Sequence, residues 1–239
     1  MTLTLALDTA TDVASVAVAA DGQVLAEVSL PGRRHAAALL PAVTGALRMV
    51  GCTLRDVDRV LCADGPGSFT GLRIGLATAQ GIARANEAVT AGTMPSLLAT
   101  AWGAAGLADG PVVVAYDALR GDVYGAMYRV GLKRVEVIVP PRLGPLAVLL
   151  SGVAERPGLV VGDLAAIDEP TTRRWTGRSP VAAGPRAAAL IGLDGVPGGV
   201  REIPDLIVFE PDYGRPAEAQ ARWERAHGRT LPDTGGEFR

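Results

Sequence analysis

The sequence has few aromatic residues and little lysine, histidine or cysteine, and each scarcity removes a class of protein or site. Aromatic residues are only 4% of the 239 positions, so the 49% hydrophobic content comes mainly from Ala, Val and Leu. Lys133 is the single lysine, which excludes a Walker P-loop because that loop needs a lysine. The two cysteines, Cys52 and Cys62, form no CxxC pair, and the two histidines, His35 and His227, are too few for a histidine-rich metal cage.

The chain also lacks a strong charge of one sign and a long apolar run. Lys and Arg number 23 and Asp and Glu number 25, a net charge of −2. Proteins that grip nucleic acid unaided normally present a basic surface, so any contact with tRNA is expected to be shared with a partner. No run approaches the ~18 apolar residues of a membrane span, and the N-terminus has no signal-peptide pattern. We expect a soluble, cytoplasmic protein without a membrane partner.

The patterning of the first half predicts an α/β fold with a mixed sheet. Leu3, Leu5 and Leu7 alternate with smaller or polar residues, and a second alternating run leads to an Asp-Gly turn at 21–22. Such alternation around a turn predicts three antiparallel strands within the first thirty residues. The elements predicted next are a helix over 35–50, a strand over 58–64, a helix over 72–85, a strand over 89–92 and a helix over 95–105.

The second half weakly repeats the first. Asp8 ends the first strand and is followed seven residues later by Ser15, while Asp117 ends a strand over 111–116 and is followed seven residues later by Tyr124. This echo indicates an internal duplication. We predict domains at 1–108 and 109–223 and a flexible tail at 224–239. Further predictions are strands over 133–139 and 159–162, a helix over 182–193, and surface loops near 140–145 and 195–199.

The segment GPGSFTGLR, residues 65–73, is the most informative stretch for a site. It lies between a predicted strand and a predicted helix, where free N–H groups and the helix dipole favour an anion. One interpretation is a phosphate-facing loop that uses Gly65, Gly67, Ser68 and Thr70. The other is a tight turn in which Ser68 or Thr70 caps the helix. The residues leave both interpretations open.

Two acidic residues are candidates for a nucleotide cleft. Asp8 ends a strand, where open α/β sheets place ligands, and with Asp117 it could hold Mg²⁺ through water. Alternatively, each aspartate caps a turn. An active ATPase or phosphotransferase that uses Asp8, Ser68 and Asp117 is therefore the alternative function. A serine hydrolase is not favoured, because Ser68 has no fixed histidine partner.

Small residues recur at helical spacing in two of the predicted helices. Gly71, Gly75 and Ala79 follow one another at intervals of four, although each glycine inside a helix costs ~1 kcal/mol relative to alanine. Ala42 and Ala46 belong to a similar stripe in the preceding helix. Such stripes allow a close helix contact, either within the chain or with another subunit.

These motifs together resemble the TsaB (YeaZ) family. The segments that carry the resemblance are LALDTATDVASVAV, HAAALLP, GPGSFTGLRIGLATAQGIA, YDALRGDVYGAMY and EPDYGRPAEAQ. The resemblance implies the fold of actin, sugar kinases and chaperone ATPases, with two ribonuclease-H-like domains. This chain departs from the family at Ala36, where the family has serine, and at Leu119, within the segment Asp117-Ala118-Leu119-Arg120. The second departure puts nucleotide contacts there in doubt.

The resemblance also implies a function without catalysis by this chain. Members support a TsaD-type enzyme that forms N6-threonylcarbamoyladenosine beside the anticodon of tRNAs reading codons that begin with A. The implied partners are this metal-bearing paralogue, a TsaE-type ATPase, a second copy in the isolated state, and tRNA through the complex. No resident cofactor or metal is expected, although ATP or ADP binding that is weak or depends on the partner is compatible with the fold. The residues expected at the subunit interface are His35, Leu39, Ala42, Ala46, Gly71, Arg73, Gly75 and Ala79.

Overall fold

Two mixed β-sheets form the framework of the chain. The computed structural model describes residues 1–32, 35–118, 121–151, 153–184 and 186–211. The strands are β1 (Leu3–Asp8), β2 (Val13–Ala20), β3 (Gln23–Pro31), β4 (Arg59–Ala63), β5 (Thr90–Met94), β6 (Val112–Asp117), β7 (Val123–Val130), β8 (Val135–Gly144), β9 (Leu159–Gly162), β10 (Val181–Ala182) and β11 (Arg201–Glu202). The helices are α1 (His35–Met49), α2 (Phe69–Ala85), α3 (Ser96–Ala104), α4 (Leu146–Leu149), α5 (Glu169–Thr176) and α6 (Ala187–Gly192).

The two sheets share one topology, which confirms the predicted duplication. The first sheet has the order β11-β5-β4-β1-β2-β3 and the second β10-β9-β6-β7-β8. In the first sheet β1 pairs antiparallel with β2 and parallel with β4, and in the second sheet β6 pairs antiparallel with β7 and parallel with β9. An α/β fold of two ribonuclease-H-like units with mixed sheets, as in the actin-like superfamily, is therefore confirmed.

Helices cover both faces of the first sheet. Leu3, Leu5 and Leu7 point to the side covered by α1 and α2, where they join one apolar core. The intervening side chains, such as Ala6, point to the other side and join a second core with α3, α6 and the second sheet. Because side chains alternate along a strand, Asp8 shares the face of Ala6 and points between the two sheets.

Most elements of the first half agree with the sequence predictions, and several of the second half do not. The loop predicted near 140–145 is wrong for 140–144, which belong to β8. Pro140 and Pro141 are tolerated there because β8 is an edge strand that pairs only with β7. The helix predicted over 182–193 is shorter, at Ala187–Gly192, and α4 and α5 were not predicted.

The end of the described chain returns to the first sheet. Strand β11 pairs antiparallel with β5, and Leu206 is buried among side chains of α1 and α2. The guanidinium of Arg59 binds the carboxylate of Asp194 with an Nη2–Oδ1 distance of 2.7 Å, and it also binds Glu202. The domain limits at 108 and 223 stay predictions, and the tail 224–239 lies outside the described residues. Within the described part, no helix is both long enough and apolar enough to cross a membrane.

Candidate functional site

The turn between β1 and β2 lies at the centre of the candidate site. Asp8 ends β1, and its Oδ1 accepts a hydrogen bond from the backbone N–H of Ala10 at 3.0 Å. This short side-chain-to-backbone bond shapes the turn, as the turn-capping interpretation of Asp8 predicts. The backbone N–H of Ser68 donates to the carbonyl oxygen of Ala10 at 2.7 Å. The GPGSFTGLR segment therefore packs directly on this turn.

Three glycines of that segment and of α2 approach the same turn very closely. A Cβ atom at Gly67 would lie 2.4 Å from the carbonyl oxygen of Ala10, and one at Gly71 would lie 2.1 Å from the carbonyl oxygen of Thr9. At Gly75 the Cβ would lie 2.3 Å from the Thr9 Oγ1. Close contact within the chain therefore explains why these three positions are glycine.

The start of α2 is capped by Ser68. Its Oγ accepts a hydrogen bond from the backbone N–H of Gly71 at 3.2 Å, which confirms the capping interpretation for this residue. Thr70 is exposed in the first turn, and Gly65 is buried with a φ of +104° that glycine adopts without strain. A ligand at Gly65, Gly67, Ser68 and Thr70 stays a prediction, since packing and capping already account for Gly67 and Ser68.

Asp8 is enclosed and carries a perturbed carboxyl group. Its side chain is 0% exposed, and burial raises the pKa of Asp8 to about 7, against the lowering effect of the Ala10 N–H. The carboxylate of Asp64, which accepts a hydrogen bond from Arg201 at 3.0 Å, raises this pKa further. Asp8 Oδ2 has no hydrogen-bond partner among the described residues. A ligand would reach this oxygen only if the surrounding elements moved apart.

A buried polar cluster that sequence reasoning missed lies between the two sheets. Its members Ser96, Thr100, Tyr116 and Tyr128 come from α3, β6 and β7. Tyr116 and Thr100 share a hydrogen bond between their hydroxyls, and the Tyr116 hydroxyl also donates to the carbonyl oxygen of Ser96 at 3.4 Å. Burial raises the pKa of both tyrosines above the usual range, and Asp8 adds to the effect at Tyr116. Ser96 and Thr100 are four residues apart in an apolar helix and so share one helix face, and this spacing could have indicated the cluster from the sequence.

The two predicted aspartates have different surroundings. Asp117 ends β6 opposite Val123, as Asp8 ends β1 opposite Ser15, so their positions in the two sheets correspond. Asp8 is fully buried, whereas Asp117 is exposed. The topology thus confirms the correspondence, while joint binding of Mg²⁺ stays a prediction.

Five of the residues predicted for the subunit interface are buried. Gly71, Gly75 and Ala79 are buried on the inner side of α2, and Leu39 and Ala46 are buried on the inner side of α1. These five residues pack inside their own chain because both helices turn their small or apolar stripes toward the first sheet. Their place at a subunit interface stays a prediction.

The other predicted interface residues have different positions. Ala42 is half-buried against the core, and Arg73 is exposed, with its guanidinium carbon 5.4 Å from the centre of the Phe69 ring. His35 begins α1, but its side chain lies outside the described part of the structure.

The outer sides of α1 and α2 form a different candidate surface. The two helices contact each other on one face of the first sheet. Leu40 is 49% exposed and Met49 is 73% exposed, both on α1. The outer helix surface, as the term is used below, consists of the exposed residues of both helices: Ala36, Ala37, Leu40, Pro41, Arg48, Met49, Thr70, Arg73, Ala77, Gly81, Arg84 and Ala85.

Comparisons with known proteins agree on one group of relatives. Residues 23–176 match the family model TsaD: tRNA N6-adenosine threonylcarbamoyltransferase. The tRNA threonylcarbamoyladenosine biosynthesis protein TsaB of Bacillus subtilis (strain 168) is 30% identical over 228 residues, covering 92% of this chain and 96% of that protein. The protein of the same name from Escherichia coli (strain K12) is 41% identical over 127 residues, covering 52% of this chain and about half, 54%, of its own length.

Solved structures give the same result for the fold. YeaZ from Pseudomonas aeruginosa superimposes with a TM-score of 0.67 at 27% identity, over 82% of this chain and 91% of that one. A protein described as similar to peptidase YEAZ from Pseudomonas aeruginosa superimposes with a TM-score of 0.71 at 27% identity, over 90% and 100% of the two chains.

Proposed function

Because this chain belongs to the TsaB (YeaZ) family, we propose that it is the non-catalytic subunit that binds and supports a TsaD-type threonylcarbamoyltransferase. The product is N6-threonylcarbamoyladenosine beside the anticodon of tRNAs that read codons beginning with A. The observation that carries the proposal is the outer helix surface, an exposed face of small, apolar and arginine side chains on a chain that aligns with a TsaB protein over 92% of its length.

The outer helix surface suits a helical partner. Leu40 provides a large apolar side chain, while Ala77 and Gly81 leave room for a close approach of a second pair of helices. Exposed apolar groups that lie together are typical of interaction sites, whereas single exposed ones are common and need no explanation. Arg73 adds a cation that can bind a partner's carboxylate at the rim.

The surroundings of Asp8 support placing the chemistry in the partner. An ATPase of this fold needs a carboxylate that reaches a nucleotide-bound magnesium ion, and Asp8 is enclosed by its own chain. Among the described side chains, no three His, Cys, Asp or Glu residues form a group suited to a metal ion. Any ATP or ADP binding is proposed to be weak or dependent on the partner.

The wider assembly is part of the same proposal. A TsaE-type ATPase joins the complex, tRNA is contacted through the complex, and the isolated chain forms a homodimer through the surface that the paralogue otherwise occupies. The net charge of −2 supports shared rather than independent tRNA binding. The cytoplasm, where tRNA is modified, is the proposed location.

Reconstitution with the TsaD-type paralogue and the TsaE-type ATPase tests the function. Formation of threonylcarbamoyladenosine in tRNA is expected with this chain and not without it. Equal modification in its absence would contradict the supporting role. Release of ADP from ATP by the isolated chain would instead favour the ATPase alternative.

A pair of matched variants tests the surface. Leu40→Asp should abolish co-elution with the TsaD-type paralogue, because it places a charge in an apolar contact, and should leave the melting temperature nearly unchanged. Leu132→Asp is the control, since Leu132 is 100% exposed in the turn before β8 and away from α1 and α2. Co-elution of the Leu40→Asp variant at wild-type levels would exclude this surface as the docking site.

A further inference from the structure

A cavity on the outer side of the second sheet is separate from the surfaces described so far. Its volume is about 260 Å³. Met127 of β7 forms part of its floor, on the face of the sheet that packs against α4, and Trp175 of α5 also lines the cavity. Pro157, at its edge, precedes β9 by two residues. The cavity therefore lies at the amino-terminal ends of β6 and β9, whereas Asp117 lies at the carboxyl-terminal end of β6.

The walls of the cavity combine an aromatic ring with an apolar floor. Trp175, at the end of α5, is half-buried, and only three tryptophans occur in the whole chain. Leu150 and Val153 join Met127 in the floor. A flat ring that enters this cavity can pack against the indole and bury its other side against aliphatic groups.

The charged groups at the rim leave a positive balance. Arg156 and Arg174 line the cavity and are exposed. Glu155 also lines it and is bound by Arg129, which pairs with Glu136 as well, so the lining itself has two arginines against one glutamate. Arg174 donates to the Thr171 hydroxyl at 3.3 Å, a neutral partner, and its charge lowers the pKa of Asp168 nearby.

We propose that this cavity binds a single nucleotide, with the base against Trp175 and the phosphate between Arg156 and Arg174. A phosphate matches the planar donor fork of arginine, and a base gains from stacking on an indole. The volume is slightly below the ~300–1,000 Å³ of pockets for drug-sized ligands, which suits one nucleotide better than a dinucleotide. The inference does not depend on the proposed function.

Calorimetric titration of the full chain tests the ligand class. Adenosine monophosphate and cytidine monophosphate are expected to bind, while adenosine and inorganic phosphate bind at least about tenfold more weakly, because each lacks one of the two contacts. A short single-stranded RNA is titrated in parallel. Tighter binding of the RNA identifies an unpaired RNA nucleotide as the occupant, and equal or weaker binding identifies a free nucleotide. No binding of any nucleotide at millimolar concentration overturns the proposal, as does equal binding of phosphate alone.

Variants locate the binding. Arg156→Gln and Arg174→Gln should each weaken nucleotide binding about tenfold, since both remove a charge-assisted hydrogen bond. Arg142→Gln is the control, because Arg142 is also exposed but lies on β8, outside the cavity lining. Trp175→Leu should weaken nucleotides about tenfold without changing the weak binding of phosphate. Because the arginine variants change only exposed groups, unchanged affinity in a folded Arg156→Gln, Arg174→Gln double variant overturns the assignment.

Discussion

Replacing Gly71 by alanine is expected to lower the melting temperature of this chain by about 4–8 °C. The added Cβ would lie 2.1 Å from the carbonyl oxygen of Thr9, so the backbone must move by at least about 1.3 Å to reach the 3.4 Å of an ordinary contact. A backbone oxygen cannot rotate away, which places the overpacking cost near ~3 kcal/mol, the upper end of the usual range. The better helix propensity of alanine returns ~1 kcal/mol. The net loss of about 2 kcal/mol lowers the melting temperature by about 4–8 °C, since 1 kcal/mol corresponds to ~2–4 °C for a chain of this size.

Gly81→Ala on the same helix is the matched control. Gly81 is exposed and has nothing within 4 Å of an added Cβ, so alanine there should raise the melting temperature by about 2–4 °C through propensity alone. Gly75→Ala should fall between the two, because its Cβ would meet the Thr9 Oγ1, the end of a side chain, at 2.3 Å. Thermal unfolding followed by circular dichroism measures all three. If Gly71→Ala melts as high as Gly81→Ala, then Gly71 does not face Thr9 and the inward packing of α2 is refuted.

Three further predictions concern the buried polar groups and the returning C-terminal segment. Burial raises the pKa of Asp8 from 3.8 to about 7, so the free energy of unfolding should fall as the pH rises through this interval. Asp8→Asn should remove that fall. If urea unfolding shows the same pH dependence for the wild type and the variant, the prediction is contradicted. Gln80 donates from Nε2 to the carbonyl oxygens of Leu206, Ile207 and Phe209 at 3.1–3.3 Å, so Gln80→Leu should speed amide hydrogen exchange in this segment, and unchanged exchange would exclude this anchoring role. Tyr116→Phe removes the hydroxyl that bonds Thr100 and should lower the free energy of unfolding by about 1–2 kcal/mol, which an unchanged denaturation midpoint would rule out.

The parts of the fold that sequence reasoning predicted correctly are those with strong periodicity. The alternation of β1 and β2 and the apolar spacing of α1 reflect burial on one side, which the pattern expresses directly. Helix α5 was missed because its sequence, EPTTRRWT, is polar and has only one fully buried residue, Thr172. Its stability depends on the cap from Asp168, whose Oδ2 accepts from the Thr171 N–H at 3.0 Å, and on packing that a local pattern does not express.

The candidate site shows a different kind of limit. A stripe of small residues indicates that something comes close, but periodicity does not say from which side. For Gly71 and Gly75 the neighbour is Thr9, more than sixty residues earlier in the chain, and only the pairing of β1 with β4 brings the two together. The buried cluster around Tyr116 depends in the same way on the second sheet and α3 lying against each other.

The inward glycines and the outward apolar residues of α2 therefore have separate physical roles. Gly71 and Gly75 let the helix seat against the β1–β2 turn, which fixes its rotation about its own axis. Once that rotation is fixed, Ala77 and Gly81 must point outward. A substitution on the inner side should consequently reduce both stability and partner binding, whereas one on the outer side should reduce partner binding alone. Measuring the melting temperature and the co-elution of Gly71→Ala and Leu40→Asp separates the two roles. If Leu40→Asp loses partner binding only because it also loses stability, the outer helix surface has no docking role of its own.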